Sequence, residues 1–225
     1  MTPAAATPMI AVKGLTAQAS GARALAHVDL QVARGECLGL AGAIGDSRAT
    51  LLRILATLNR PASGVVEIDG LDSVTHVYAV RSRLAYAGRE CLSGHGLRAR
   101  EYLTFVCAAR RRSTSSAQIA ADVDRALARA QLPSNADVDG LAPGLRQRLA
   151  LGAAFLTNAR VMLLDDPFSL LDRAGHALFL DWLRELHDGG ATIVIALNNE
   201  QDLDTLCRRV VRLEAGRAVP QAGHA

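Results

Sequence analysis

Short apolar runs that end at polar residues recur along the chain and predict buried strands. Residues 37–41 form one such run, and residues 161–164 and 193–197 repeat the pattern. Runs of this length without alternation are typical of strands that are covered on both faces, as in a parallel sheet. Residues 65–69 predict a further strand, which ends at the turn signal Asp69-Gly70.

Longer segments between these strands have the apolar spacing of helices. The leucines of residues 49–58 recur at i, i+1, i+4 and i+7, and residues 172–187 form a second helical pattern that a glycine pair closes. The middle of the chain predicts three further helices, over residues 101–112, 116–130 and 145–156. Alternating strands and helices predict an α/β fold with a mainly parallel sheet, and about residues 91–156 are expected to form an inserted helical subdomain.

Composition limits the possible classes of protein. With 225 residues, 50% of them hydrophobic and 21% charged, the chain is expected to form one globular domain over residues 10–219, with flexible termini at 1–9 and 220–225. No apolar run approaches the roughly 18 residues that cross a membrane, and no export signal is visible. The four cysteines have no C-x-x-C spacing and are expected to be reduced, buried thiols.

The most informative segment for function lies between the predicted strand at 37–41 and the helix that follows it. It reads Gly42, Ala43, Ile44, Gly45, Asp46, Ser47, Arg48, Ala49 and Thr50. In this position backbone N–H groups and a helix N-terminus can converge on an anion, as in the phosphate-binding motif G-x-x-x-x-G-K-[ST]. Gly42 matches the first glycine, but Arg48 stands in place of the lysine. Taken alone, the segment fits an ordinary strand–turn–helix equally well.

Six segments in the same order resemble the ATP-binding subunits of ABC transporters. They are residues 35–40 (GECLGL), 50–55 (TLLRIL), 63–70 (SGVVEIDG), 141–150 (LAPGLRQRLA), 161–167 (VMLLDDP) and 169–172 (SLLD). The resemblance extends from about residue 10 to residue 219, and residues 98–103 are most similar to subunits that energise exporters with separate membrane chains. It implies a P-loop NTPase fold of the ABC ATPase type, with an N-terminal antiparallel β portion beside the parallel core.

The resemblance also implies ligands and partners. ATP and Mg²⁺ would be enclosed between two cassettes, in a homodimer or a heterodimer with another ABC ATP-binding subunit. Membrane-spanning subunits would complete the complex, which places the chain in the cytoplasm, peripheral on the inner face of the membrane. No nucleic acid is expected, because the net charge is only +3 and the arginine run at 110–112 lies at a helix end without interleaved aromatic residues.

Catalytic positions carried over from the family are altered at three of four places. Asp165 matches the Walker B aspartate that holds the metal ion. Asp166 stands where a glutamate polarises the attacking water and is one methylene shorter, although it is also compatible with a plain strand-end turn. Arg89 replaces a glutamine that contacts metal and water. Asn198 replaces the histidine that contacts the γ-phosphate.

The phosphate loop and the signature segment depart from the family as well. Arg48 keeps a positive charge but presents a planar fork on a longer stem, and Ala49 has no hydroxyl for Mg²⁺. In the signature, Ala142 and Pro143 replace a serine and a glycine, while Gly144 is kept. The expected ligands of ATP in this chain are therefore residues 42–50 with Ala142 and Gly144, and binding is expected to be weak or lost.

These substitutions favour a subunit of an export complex with weak or absent ATP hydrolysis and a structural or regulatory role. The alternative is a slow but genuine ATPase that drives export with Arg48, Asp165 and Asp166, since charge type is kept at these three positions. A soluble ABC protein of repair or translation ranks last, because such proteins usually carry two of these domains in one chain.

Overall fold

The computed structural model describes residues 7–19, 22–42, 46–88, 96–111, 114–198 and 200–220. Its strands are β1 (Ile10–Ala19), β2 (Ala22–Val32), β3 (Cys37–Gly42), β4 (Ser63–Ile68), β5 (Leu71–Asp72), β6 (Leu84–Ala87), β7 (Val161–Asp165), β8 (Thr192–Ala196), β9 (Arg209–Glu214) and β10 (Arg217–Pro220). Its helices are α1 (Asp46–Leu55), α2 (Val77–Arg81), α3 (Ala99–Arg110), α4 (Ser116–Ala130), α5 (Pro143–Leu156), α6 (Arg173–Asp188) and α7 (Glu200–Leu206).

The strands form two sheets of different kinds. One has the order β2-β1-β4-β5 and is antiparallel throughout. The other has the order β10-β9-β3-β8-β7-β6, in which β9, β3, β8 and β7 are parallel neighbours and β10 pairs antiparallel with β9. The predicted α/β fold, with a mainly parallel core and an N-terminal antiparallel portion, is confirmed.

One compact unit comprises Met1–Tyr86, Arg160–Asp165 and His187–Ala225. It holds the two sheets with α1, α2 and α7. The central strands are covered on both faces, since the consecutive residues Ile193, Val194 and Ile195 of β8, which point alternately to the two faces, are all fully buried. Their near-continuous apolar runs are explained by this burial, because a strand in the middle of a covered parallel sheet has no solvent face.

The second compact unit comprises Ala87–Ala159 and Asp166–Leu186, and it contains α3, α4, α5 and most of α6. The Phe155 ring on α5 lies 4.9 Å from the Trp182 ring and 5.9 Å from the Phe179 ring, centroid to centroid. These aromatic contacts place α6 with the helices of the middle segment. The unit therefore includes more of the chain than the predicted block at 91–156.

Residues near the two ends of the described chain, Met9 and Pro220, have defined partners. Met9 is buried, and its backbone N–H donates to the Val32 carbonyl over 2.8 Å. Pro220 still belongs to β10, where it pairs with Val211. Residues 1–6 and 221–225 lie outside the described residues, so the expectation of flexible termini stays a prediction there. Among the described residues, no helix combines the length and apolar character needed to cross a membrane.

Candidate nucleotide-binding site

The predicted site residues after β3, at the end of β7 and after β8 lie at the same edge of the parallel sheet. Leu40 of β3 pairs with Ala196 of β8, and Ala196 pairs with Asp165 at the end of β7. Gly42 ends β3 and Asn198 lies two residues past the end of β8. In open α/β sheets, ligands bind outside the carboxyl ends of the strands, so this edge is where a nucleotide site is expected.

The first glycine of the loop is required by close backbone packing. Gly42 has φ +134°, and a Cβ atom there would lie 2.5 Å from the Leu213 carbonyl oxygen. A side chain at this position would therefore clash with β9 and also strain the backbone. Ala43, Ile44 and Gly45, which follow in the loop, lie outside the described residues, as does Arg89.

Ser47 and Arg48, at the start of α1, are hydrogen-bonded to β2 and to the segment that follows β8, respectively. The Ser47 hydroxyl donates to the Ala24 carbonyl over 2.9 Å. Arg48 is only 8% exposed; its Nη1 donates to the Leu197 carbonyl over 2.5 Å and its Nη2 to Asn198 Oδ1 over 2.7 Å. The cation expected at the phosphates is thus bonded to the segment that follows β8, and it brings together two of the predicted site residues.

The Arg48 guanidinium has one further polar group. Its Nε–H is buried and has no hydrogen-bond partner among the described residues. A buried donor without a partner destabilises a fold by about 1–3 kcal/mol. The hydrogen bonds of Nη1 and Nη2 offset this cost and hold the guanidinium in place. Arg48 is therefore held by intramolecular hydrogen bonds and is not a solvent-exposed cation.

The groups available for Mg²⁺ are few. Asp165 is half-buried at the end of β7, while Ala49 has no hydroxyl, and Thr50, one residue later, is buried. Asp46 begins α1. The described residues include no cluster of three or more His, Cys, Asp or Glu side chains suited to a metal ion. The described residues of the site do not fit Mg²⁺-ATP held as the resemblance implies, because Arg48 is bonded to Leu197 and Asn198 and position 49 offers no hydroxyl.

Asp166 occupies a strained turn directly after β7. Its φ is +49°, its side chain is buried, and its carbonyl accepts hydrogen bonds from Ser169 N over 3.3 Å and Ser169 Oγ over 3.1 Å. Aspartate is among the residues that tolerate this left-handed backbone region best. The backbone thus gives a structural reason for aspartate at a position where the family has glutamate.

The start of α5 carries the residues that the resemblance assigns to the signature, and it packs within its own unit. Ala142 is the N-cap and Pro143 the first helical residue. A Cβ atom on Gly144 would lie 2.7 Å from the Leu170 carbonyl oxygen, and Gln147 Nε2 donates to the Pro167 carbonyl over 2.7 Å. Close packing against the segment after β7 therefore accounts for the glycine at 144. Ala142, Gly144 and Asp166 belong to the helical unit, whereas the loop, Asp165 and Asn198 belong to the sheet unit.

An ion pair that the sequence interpretation missed holds the segment after Asp166. Arg148 on α5 is only 7% exposed, and its Nη2 donates to Asp172 Oδ1 over 2.6 Å. The Gly175 N–H and the Arg148 guanidinium together hold the pKa of Asp172 below its ordinary value. The available signal was an arginine three residues from both Leu145 and Leu151, which puts it on their apolar helix face and so indicates a buried partner.

Replacing Ala142 by serine is expected to stabilise the chain by about 0.5–1 kcal/mol. Ala142 has the extended ψ of 151° that an N-cap needs but no side-chain acceptor for the first N–H groups of α5. The change is measured as a rise in the urea midpoint at constant m-value. Ala120→Ser, at an exposed position of α4 beyond its first turn, is the matched control and should not stabilise. A lower midpoint for Ala142→Ser would contradict the capping argument.

Sequence comparison identifies relatives over most of the chain. A family model described as ABC transporter matches residues 25–169. The daunorubicin resistance ATP-binding protein DrrA3 of Streptomyces coeruleorubidus is 33% identical over 214 residues, which are 94% of this chain and 67% of that protein. The sulfate/thiosulfate import ATP-binding protein CysA of Rhodopseudomonas palustris is 34% identical over 213 residues, 92% of this chain and 61% of the relative. The chain thus spans about two thirds of these proteins.

Solved structures agree with this on the level of the fold. The ATP-binding subunit of an ABC transporter superposes with a TM-score of 0.87 at 22% identity, covering 95% of this chain and 90% of the other. A dimeric ATP-binding cassette in a post-hydrolysis state with ADP and Pi superposes with a TM-score of 0.85 at 21% identity, covering 96% and 100%. With the matched family model and relatives above 30% identity, the chain belongs to the ABC transporter family and has the fold of its ATP-binding cassette.

Proposed function

We propose that this chain is the ATP-binding-cassette subunit of a membrane export complex and that its own site binds ATP weakly and does not hydrolyse it at a useful rate. The observation that carries this proposal is the Arg48 guanidinium, which is buried and bonded to Leu197 and Asn198. The role of the chain in the complex is then structural or regulatory.

Nucleotide binding has to compete with these internal hydrogen bonds. Hydrogen bonds that involve a charged group contribute about 1.5–3 kcal/mol each, so turning Arg48 toward a phosphate takes this free energy out of the binding reaction. Burial adds to the effect, since the guanidinium is shielded from solvent where it lies. ATP binding in the millimolar range or weaker is expected.

Hydrolysis requires further groups that this chain has changed. Asp166 is shorter than the glutamate of the family, and Asn198 lacks an imidazole. Ala142 has no hydroxyl, and Pro143 has no N–H to donate. Residues that act as a unit in catalysis do not contribute additively, but loss of several together leaves no intact route for proton transfer or charge stabilisation.

Export is supported by two features. Residues 98–103 resemble exporter subunits, and one relative is named for daunorubicin resistance. In the structure, Glu101 Oε2 accepts from the Arg98 N–H over 2.8 Å and so caps the first turn of α3.

The partners proposed are membrane-spanning subunits and a second cassette, identical or different, at the cytoplasmic face of the membrane. Membrane chains that co-purify with the subunit would distinguish export from the import role of the CysA relatives.

A slow but genuine ATPase is the second candidate function. It is favoured by Arg48, Asp165 and Asp166, which keep the charge type of the family's catalytic groups. In this case the Arg48 contacts would break when nucleotide arrives, and Asp166 would act as general base from its shorter side chain. The two candidates differ in whether Asp166 contributes to turnover.

Steady-state hydrolysis of Mg²⁺-ATP by the purified chain is expected to equal that of Asp166→Ala, both at background. The physical reason is that removal of a carboxylate cannot slow a reaction that lacks its other groups. Asp181→Ala, on the exposed face of α6, is the control for surface charge. A rate for the unaltered chain that is about 10²-fold above Asp166→Ala would overturn the proposal and establish the ATPase. Calorimetry with Mg²⁺-ATP then reports whether nucleotide binds without turnover.

A further inference from the structure

Two cysteines from distant parts of the sequence meet inside the sheet unit. Cys37 is the first residue of β3, and Cys207 lies between α7 and β9. The pairing of Leu38 with Arg209 aligns the beginnings of β3 and β9, and it brings the two Sγ atoms to 3.0 Å from each other. Both side chains are buried, with 6% and 5% exposure.

We propose that Cys37 and Cys207 form a reversible intramolecular disulfide when the chain meets a small-molecule disulfide such as oxidised glutathione. The two sulfurs lie 3.0 Å apart, so shortening this distance to the roughly 2.05 Å of a disulfide needs a displacement of only about 1 Å. A disulfide requires neighbouring residues whose side chains are directed toward each other, and the Sγ contact between Cys37, at the start of β3, and Cys207, two residues before β9, shows this direction.

Access to the pair is expected from the Cys207 side. Cys207 directly follows α7, which has only seven residues, and it is followed by the exposed Arg208. Short helices are marginally stable by themselves, and local opening of such an element is far less costly than global unfolding. Cys37, in contrast, starts a central strand bonded on both sides to β8 and β9.

The chemistry is a two-step thiol–disulfide exchange. The Cys207 thiol loses its proton, and the thiolate attacks one sulfur of the reagent, which forms a mixed disulfide and releases one small thiol. The Cys37 thiol then loses its proton and attacks the Cys207 sulfur, which forms the Cys37–Cys207 bond and releases the second small thiol. In total, two protons and two electrons pass from the protein to the reagent.

The bridge would fasten the part of the unit that carries Asn198. The bonded residues are 170 positions apart, and a cross-link between distant residues restricts the unfolded chain strongly. It would also hold the end of α7 against β3, while the segment before α7 contains Asn198 and its contact with Arg48. Oxidation would therefore stiffen the surroundings of the loop and stabilise the fold.

The other cysteines provide the means to test this specificity. Cys107 lies in α3 of the helical unit, and burial raises the pKa of its thiol. Cys91 lies outside the described residues. A pair-only variant, Cys91→Ser/Cys107→Ser, keeps the proposed site, and a pair-less variant, Cys37→Ser/Cys207→Ser, removes it. Both variants are made in the full chain.

The reduced proteins are incubated with oxidised glutathione, denatured, alkylated and weighed by mass spectrometry. For the pair-only variant we expect loss of both alkylatable thiols without a glutathione adduct, a monomeric product, and a melting temperature raised by roughly 5–10 °C that dithiothreitol reverses. Peptide mapping of the unaltered chain should recover the Cys37–Cys207 cross-link, which keeps the test independent of how well the variants fold.

The control outcome is equally specific. The pair-less variant should show no rise in melting temperature with the same reagent. The proposal is overturned if the unaltered chain retains all four thiols, if the cross-link joins other cysteines or two chains, or if Cys207 stops at the glutathione adduct.

Discussion

Arg48→Lys is expected to raise the affinity of the chain for Mg²⁺-ATP by roughly 100-fold. The planar guanidinium spans two acceptors at once, the Leu197 carbonyl and Asn198 Oδ1, and a compact ammonium does not reproduce that geometry. If the two charge-assisted hydrogen bonds oppose binding by a combined total of about 3 kcal/mol, their loss corresponds to about two orders of magnitude in the dissociation constant.

Calorimetric titration with Mg²⁺-ATP measures this change. Arg60→Lys is the matched control, because Arg60 is exposed on the same unit a few residues after α1. The affinity of this variant for Mg²⁺-ATP should equal that of the unaltered chain. Turnover by Arg48→Lys should stay at background, since Asp166 and Ala142 are unchanged. Equal affinity of Arg48→Lys and the unaltered chain would show that the internal contact of Arg48 does not limit binding.

Asp69→Asn is expected to destabilise the chain by about 3 kcal/mol. Three arginines from distant segments meet on this carboxylate: Arg34 over 2.6 Å, Arg83 over 2.8 Å and Arg160 over 3.1 Å. The Asp69 side chain is only 10% exposed. Its neutralisation leaves three guanidinium groups close together without a counter-charge, which costs much more than loss of a surface pair, although the exposure of Arg34 and Arg160 moderates the repulsion.

The effect of Asp69→Asn should depend on pH in a defined direction. The hydrogen bond from Arg34, followed by that from Arg83, holds the pKa of Asp69 below its ordinary value of 3.8 despite partial burial. A depressed pKa means that the unfolded chain binds the proton more readily, so the stabilisation is complete above about pH 4 and disappears as the pH falls through the lower folded value. The two proteins should therefore converge in stability in acid.

Urea unfolding at pH 7 and at the lowest pH where both proteins fold measures this difference. Asp181→Asn is the control; Asp181 forms an exposed pair with Arg184, and exposed pairs contribute at most about 1 kcal/mol. A loss of stability for Asp69→Asn no larger than that of the control would contradict the role assigned to the arginine cluster. A difference that stays constant into acid would contradict the assigned pKa direction.

Several elements of the fold were predictable from local patterns. The apolar runs at 37–41, 161–164 and 193–197 became β3, β7 and β8 within one residue at either end, because strands covered on both faces must be apolar throughout. Helix α4 was predicted at its observed bounds, 116–130, where Ser115 caps the first turn by accepting from the Gln118 N–H. Strong local patterns with a terminating signal were sufficient in these cases.

Boundaries and small elements were predicted less well. Helix α1 begins at Asp46 rather than at residue 49, and α3 at Ala99 rather than 101. The polar residues Asp46, Ser47 and Arg48 of the first turn of α1 do not contribute to an apolar stripe, so a periodicity argument begins that helix too late. Strands β9 and β10 and helix α7 were not predicted, because mixed sequences such as residues 200–220 take their structure from the neighbours that they pair with.

In the candidate site, too, some features were predictable from the sequence and others were not. The sequence by itself determined which chemical groups are present: a glycine that starts the loop, an arginine in place of its lysine, an aspartate in place of the glutamate, and no hydroxyl at positions 49 and 142. These are properties of residue type and order. They were sufficient to recognise the family and to expect a damaged catalytic set.

Only the tertiary structure decided where those groups are directed. Arg48 bonds to Leu197 and Asn198 across 149 and 150 positions of the chain, Arg148 holds Asp172, and Cys37 meets Cys207 across 170. A buried cation or thiol must find its partner among whatever the folded backbone brings near it. Those partners lie outside any local pattern. The parallel sheet that joins β3, β8 and β9 places Arg48 and Cys37 beside their partners, whereas packing inside the helical unit places Arg148 beside Asp172.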